Sequence, residues 1–102
     1  MMDIAVLVSG GGTNLQALID FEQNNPNCPY HICVVMSDRK DAFALERARK
    51  AGIQTELVSS YSILGADKAK VATRDQKRFA ISDKVLEHCK TFKAQAIVLA
   101  GW

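Results

Sequence analysis

The sequence has only two prolines, Pro26 and Pro29, and both fall in one stretch, residues 22–30, together with Asn24, Asn25 and Asn27. That stretch reads as a loop, because its composition opposes helix continuation and supplies turn chemistry. The three cysteines, Cys28, Cys33 and Cys89, are an odd set with no C-x-x-C spacing. A disulfide framework and a thiolate metal site are thereby disfavoured, and a reducing compartment fits. Long hydrophobic runs are missing too. The first apolar run, residues 4–8, falls far short of a signal sequence or of the roughly 20 residues a membrane helix needs. The expectation is a soluble, cytoplasmic protein without a membrane partner. Nor is there an excess of one charge: 13 basic against 11 acidic side chains leave a net charge of +2, no footprint for nucleic acid. With 102 residues, 48% of them hydrophobic, the chain has room for one domain and the material for its core.

What is present alternates between strand and helix signals. Residues 4–8 form a branched, continuously apolar run closed by Ser9-Gly10-Gly11-Gly12, as expected of a strand buried on both faces. Thr13 and Asn14 can cap a helix whose Leu15, Leu18 and Ile19 share one stripe, predicted to last to about Phe21. Residues 32–36 repeat the strand signal and end at the polar turn Ser37-Asp38-Arg39-Lys40. Asp41 is the expected N-cap of a helix over residues 42–51, with Glu46 and Lys50 in the favourable i,i+4 order and Gly52 at the C′ position. A third strand is expected over residues 53–58 and a loop over 59–71. A third helix follows over residues 73–92, where Phe79, Val85, Leu86, Cys89 and Phe92 recur at helical spacing with Ser82 on the same face. Residues 94–100 are a fourth apolar strand before Gly101-Trp102. Strands alternating with helices indicate an α/β fold, a Rossmann-like parallel sheet with helices on both faces. The expected strand order is 3-2-1-4, which sets strands one and four side by side with their carboxyl ends at one crevice.

The segment Ser9-Gly10-Gly11-Gly12-Thr13-Asn14 leaves a strand and opens a helix. Backbone amides at such a helix start favour an anion, glycines permit its close approach, and Thr13 and Asn14 add donors for phosphate oxygens. The competing reading is that the glycines serve only a tight turn and helix packing. Two stricter motifs fail: a dinucleotide GxGxxG needs glycine where Leu15 stands, and a Walker loop needs GK[ST] where the chain reads Gly12-Thr13-Asn14. Asp38 is read as a turn residue rather than a ribose ligand.

Residues 5–19, Ala-Val-Leu-Val-Ser-Gly-Gly-Gly-Thr-Asn-Leu-Gln-Ala-Leu-Ile, resemble the opening of the phosphoribosylglycinamide formyltransferase family. Residues 37–48 are similar to that family's second-strand exit and helix, and Ile97-Val98-Leu99-Ala100-Gly101-Trp102 to its fourth strand. The resemblance implies transfer of a formyl group from 10-formyltetrahydrofolate, a co-substrate, to the amine of glycinamide ribonucleotide in purine biosynthesis. It implies that Gly12, Thr13 and Asn14 hold the ribonucleotide 5′-phosphate. It also implies an arginine on the folate side, which falls on Arg78 when counted without gaps and on Arg74 in a gapped alignment; the competing reading of either is a solvated helix arginine.

The family's Asn-x-His motif and its later catalytic aspartate have no counterpart in these residues, so no catalytic residue is assigned. His31 and His88 match no catalytic position and read as loop and helix-surface residues. The family needs no metal. The expectation is therefore a phosphoribosyl-binding N-terminal domain over residues 1–102, with the sheet cut after its fourth strand and the catalytic, folate-binding part elsewhere. The expected partner is the small-molecule substrate, with a homodimer left open. Competing readings are a formyltetrahydrofolate deformylase, a relative with an added regulatory domain ahead of this sheet, and a non-catalytic nucleotide-binding or interaction module that works through its sheet edge.

Overall fold

A computed structural model describes residues 2–59 and 63–102. β1 (Met2–Val8) is the central strand, paired in parallel with β2 (Tyr30–Ser37) on one side and β4 (Ala96–Leu99) on the other; β3 (Thr55–Leu57) extends the sheet beyond β2. The order β3-β2-β1-β4 is the one expected from the alternation of strand and helix signals. β1 is buried from Ile4 to Val8 because both of its faces are covered. Ile4, Val6 and Val8 pack with Leu15, Ile19, Ala44, Leu45 and Ala48, while Ala5 and Leu7 pack on the opposite face with Val85 and Cys89. Ile4 pairs with Ile32 and Ala5 with Val34, so Cys33 is the extra residue of a bulge. Its thiol donates to the Ile4 carbonyl at 3.2 Å.

α1 (Thr13–Asn24) runs three residues past the expected Phe21. The proline acts only on the residue before it: Asn25 is extended ahead of Pro26, and its side-chain Nδ2 donates to the Phe21 carbonyl at 2.7 Å. Thr13 and Asn14 do not cap this helix. The cap position belongs to Gly12, with φ 80° and no side-chain bond, and both residues lie inside the first turn.

α2 (Phe43–Lys50) is capped by the extended backbone of Ala42 and not by the exposed Asp41. Glu46 pairs with Arg49 at 3.2 Å rather than with Lys50. Gly52 takes the expected left-handed C′ conformation with φ 76°.

β3 is shorter than the 53–58 run that was expected. In the 59–71 segment, read as loop, the structure holds a six-residue helix, α3 (Ala66–Val71), too short to show a period; residues 60–62 lie outside the described residues. α4 (Arg74–Thr91) starts at a capping box in which Thr73 and Gln76 satisfy each other's backbone N–H groups. Its buried stripe is the expected one in part: Val85, Cys89 and Phe92 face the sheet, joined by Ile81, whereas Phe79 and Leu86 are 74% and 56% exposed.

α1 and α2 thus cover one face of the sheet and α4 the other. β4 is only half covered: Ala96 and Val98 pack under the α1–α2 layer, while Ile97 and Leu99, on the α4 side, are 43% and 65% exposed. Among the described residues no helix is long and apolar enough to cross a membrane.

Candidate functional site

In this sheet the chain moves outward from β1 through β2 to β3 and then returns to the other side of β1 as β4. The crevice at the carboxyl ends of β1 and β4 is therefore the switch point where parallel α/β sheets take ligands. The glycine turn sits there, directly after Val8.

Its three glycines have different work. Gly10 and Gly11 are exposed, and a Cβ built on either would meet nothing within 4 Å. A Cβ on Gly12 would lie 2.7 Å from both Cα and Cβ of Ala44 and 3.1 Å from Cδ of Arg47. Gly12 is therefore required by the close approach of α2 and by its positive φ, whereas the space around Gly10 and Gly11 is open. Helix packing thus accounts for Gly12, and neither Gly10 nor Gly11 is required by packing.

The turn's carbonyls are already used. The Ala44 N–H donates to Gly10 O at 3.1 Å, and Arg47 Nε donates to Gly11 O at 2.8 Å. In a planar trans peptide the N–H points opposite to the C=O, and the described residues contain no cis peptide. With the Gly10 and Gly11 carbonyls turned toward α2, the N–H groups of Gly11 and Gly12 point away from it. The first bond of α1 runs from Gln16 N–H to Gly12 O at 2.8 Å, so Thr13 and Asn14 keep helix-start donors with no intrahelical acceptor. These amides have no acceptor among the described residues, and the exposed Thr13 and Asn14 side chains stand beside them. Such a set of donors at a helix start suits a phosphate or carboxylate.

Beside the turn, Ser9 Oγ donates to Asp38 Oδ1 at 2.5 Å, fixing the carboxylate that follows β2. Asp38 is thus more than a turn residue. With Leu7, Arg78, Ile81, Ile97 and Trp102 it lines a cleft of about 640 Å³ on the α4 face. Arg78 stands on the wall of that cleft, and Arg74 is exposed at the first position of α4. The cleft combines an apolar lining with one carboxylate and one guanidinium, so it can take a partly apolar ligand carrying an acidic group.

Neither histidine lies at this site. His31 is inside β2, not before it, at the amino end of the sheet, with Nδ1 2.7 Å from Glu22 Oε2. His88 is largely covered rather than on the helix surface: it faces Glu56 of β3 at 3.9 Å and packs on Phe92. The thiols of Cys33 and Cys89 are pushed up by burial, and that of Cys33 also by the Asp3 charge, so both are poor nucleophiles. Among the described residues no group of three or more His, Cys, Asp or Glu side chains is placed to hold a metal ion. Arg47 and the Ser9–Asp38 pair are absent from the expected site. Both are contacts between residues 29 or more positions apart, for which the sequence carries no spacing signal.

Residues 2–102 match the formyl transferase family. The chain belongs to that family. Formyl transferase relatives include a phosphoribosylglycinamide formyltransferase of Dictyostelium discoideum, 37% identical over 98% of this chain and 46% of its own length. The Escherichia coli K12 protein of the same name is 35% identical over 99% of this chain and 42% of its own. Among solved structures, glycinamide ribonucleotide transformylase 1 of Symbiobacterium toebii superposes with a TM-score of 0.78 at 34% identity, covering all of this chain and 42% of that one. The formyl transferase chain described here spans a little under half the length of these relatives.

Proposed function

We propose that this chain is the substrate-phosphate-binding part of a phosphoribosylglycinamide formyltransferase, which passes the formyl group of 10-formyltetrahydrofolate to the amine of glycinamide ribonucleotide in purine biosynthesis. The observation that carries this reading is the outward-facing row of amides at Gly11, Gly12, Thr13 and Asn14, beside the open space at Gly10 and Gly11, at the sheet's switch point. The ribonucleotide 5′-phosphate accepts from these amides and from the Thr13 and Asn14 side chains. Its glycinamide end then reaches the cleft between α4 and β4, where Arg78 takes the co-substrate side. The names carried by the relatives favour this enzyme over a deformylase.

Formyl transfer needs groups that accept the amine's protons and stabilise the oxyanion formed when nitrogen attacks the formyl carbon. His31, 2.7 Å from Glu22, and His88, which faces Glu56 at 3.9 Å, both lie away from the cleft and supply neither role there; the reading gives this chain the binding part. Calorimetry with glycinamide ribonucleotide tests the claim. Loss of a charge-assisted hydrogen bond in Asn14→Ala is expected to weaken binding roughly 10- to 100-fold. Absence of any phosphate-dependent heat with the unaltered chain overturns it. A formyl-transfer assay on the purified chain should show no turnover, and measurable turnover would move catalytic groups into these residues.

A second reading rests on one observation. Among the described residues β4 is an edge strand with Leu99 65% exposed, as a strand-pairing interaction module would present it. Sedimentation tests this second reading without bearing on the first, since a folded monomer at all concentrations does not use that edge.

A further inference from the structure

We propose that Arg47 is a positioning residue for the glycine turn. It does not touch the ligand but fixes the direction of the amides that do. The inference rests on the phosphate-site reading above.

Arg47 lies on α2, yet its guanidinium reaches across to both the turn and the helix that follows it. Nε donates to Gly11 O at 2.8 Å, and Nη1 donates to Gln16 Oε1 at 3.2 Å on the first turn of α1. The guanidinium carbon stands 4.9 Å over the Phe43 ring, which sets the plane of the fork. Gln16 is itself held, its amide nitrogen donating to Asp20 Oδ1 at 2.9 Å. The side chain is thus fixed by a ring, a carbonyl and a carboxamide.

Because a peptide's C=O and N–H are antiparallel, holding Gly11 O against α2 holds the Gly12 N–H away from it. The guanidinium lies on the side of the Gly11–Gly12 peptide opposite to that N–H, so it acts through the peptide and not as a ligand. Gly10 and Gly11 have no side chains to restrict them and no neighbours within 4 Å of a Cβ position. Without Arg47, the Gly11–Gly12 peptide has no described partner to stop it turning over. A lysine at this position keeps the charge but gives up the planar fork that serves two acceptors at once.

The test compares the unaltered chain with Arg47→Met and Arg47→Lys. Methionine keeps an apolar stem against Phe43 and leaves the Gly11 carbonyl to water, so the fold is retained. The readouts are ¹⁵N relaxation and shifts of the Gly10, Gly11 and Gly12 amides, the melting temperature, and the calorimetric Kd for glycinamide ribonucleotide. Arg47→Met should loosen the Gly11 and Gly12 amides and raise Kd about 10-fold, with Arg47→Lys between the two, as loss of one charge-assisted bond predicts. A fall in melting temperature with unchanged glycine amides and unchanged Kd would show a merely structural contact and overturn the proposal. If the unaltered chain does not bind the ribonucleotide, the phosphate-site reading fails. The glycine amides of the two variants then decide alone whether Arg47 orders the turn: unchanged relaxation overturns that role and loosened amides support it.

Discussion

Gly12 and Ala44 are packed so closely that a methyl group on Gly12 would stand 2.7 Å from the Ala44 backbone. The contact joins the start of α1 to the first turn of α2. It also explains why Ala44 is small and fully buried. Gly12→Ala carries two penalties: about 1–2 kcal/mol for a side chain at positive φ, and about 1–3 kcal/mol for the overlap. Gly11→Ala meets neither, so its stability should change by less than about 0.5 kcal/mol, while its ligand affinity falls because the methyl occupies the approach to the amides. Urea unfolding of both variants, paired with calorimetry, checks the contrast; equal stability losses would show that the turn does not divide its work in this way.

The second prediction concerns α4, which carries Arg78. Thr73 accepts from the Gln76 N–H at 3.1 Å and Gln76 answers by accepting from the Thr73 N–H at 2.8 Å. Thr73→Ala should cost about 1 kcal/mol and fray the first turn of α4. Hydrogen exchange should accelerate at residues 74–77 and stay unchanged beyond Val85, which is anchored in the core. Uniform acceleration along the helix would instead mean that the cap holds the whole element.

The third prediction is a pH dependence. Burial raises the Cys33 thiol above its ordinary value of 9.0, assisted by the charge of Asp3, and burial raises Cys89 in the same way. The folded chain therefore holds these protons at a pH where the unfolded chain has released them. The resulting stability is fully present below pH 9.0 and is lost as pH rises through the raised native values. Tyr30, raised chiefly by burial and then by Cys28, adds to the loss above its ordinary 10.0. The urea midpoint should thus fall between about pH 8 and about pH 10.5, and less steeply in Cys33→Ala. A flat profile would refute the assignment. The same protonation predicts slow alkylation of both thiols near neutral pH in the folded chain.

How far the sequence could anticipate this structure follows from which forces are local. The β1 and β2 runs were readable because burial on both faces makes consecutive residues apolar, and the Leu15–Ile19 stripe because burial on one face imposes a helical period. The order 3-2-1-4 followed from the alternation of elements. The α4 stripe was readable in part: Phe79 and Leu86 share helical spacing with Val85, Cys89 and Phe92, and packing on Ala5 and Leu7 keeps the last three, adds Ile81 and leaves the first two exposed. Asp41 lost its cap role because a bond from the Ala42 N–H to Arg39 O, at 3.3 Å, moves the helix start onward. At the candidate site the glycines announced themselves. The guanidinium behind them did not, since Arg47 and Gly11 meet only after α2 has folded onto the turn.

The last prediction concerns β4. Among the described residues its backbone pairs with β1 on one side and with no strand on the other. Ile97 and Leu99 add apolar exposure on the α4 side, next to the exposed Leu86 and the half-exposed Trp102 around the cleft. An uncharged, apolar edge invites pairing with another strand, and natural edges are often blunted by lysine. The purified chain should accordingly self-associate with rising concentration, and Leu99→Lys should suppress this while changing stability by less than about 0.5 kcal/mol, since Leu99 contributes little to the core. Sedimentation velocity across a concentration series reads the first effect and urea unfolding the second. A monomer at every concentration would show that twist or the approach of Trp102 already protects the edge; a large stability loss in Leu99→Lys would place that side chain in the core after all.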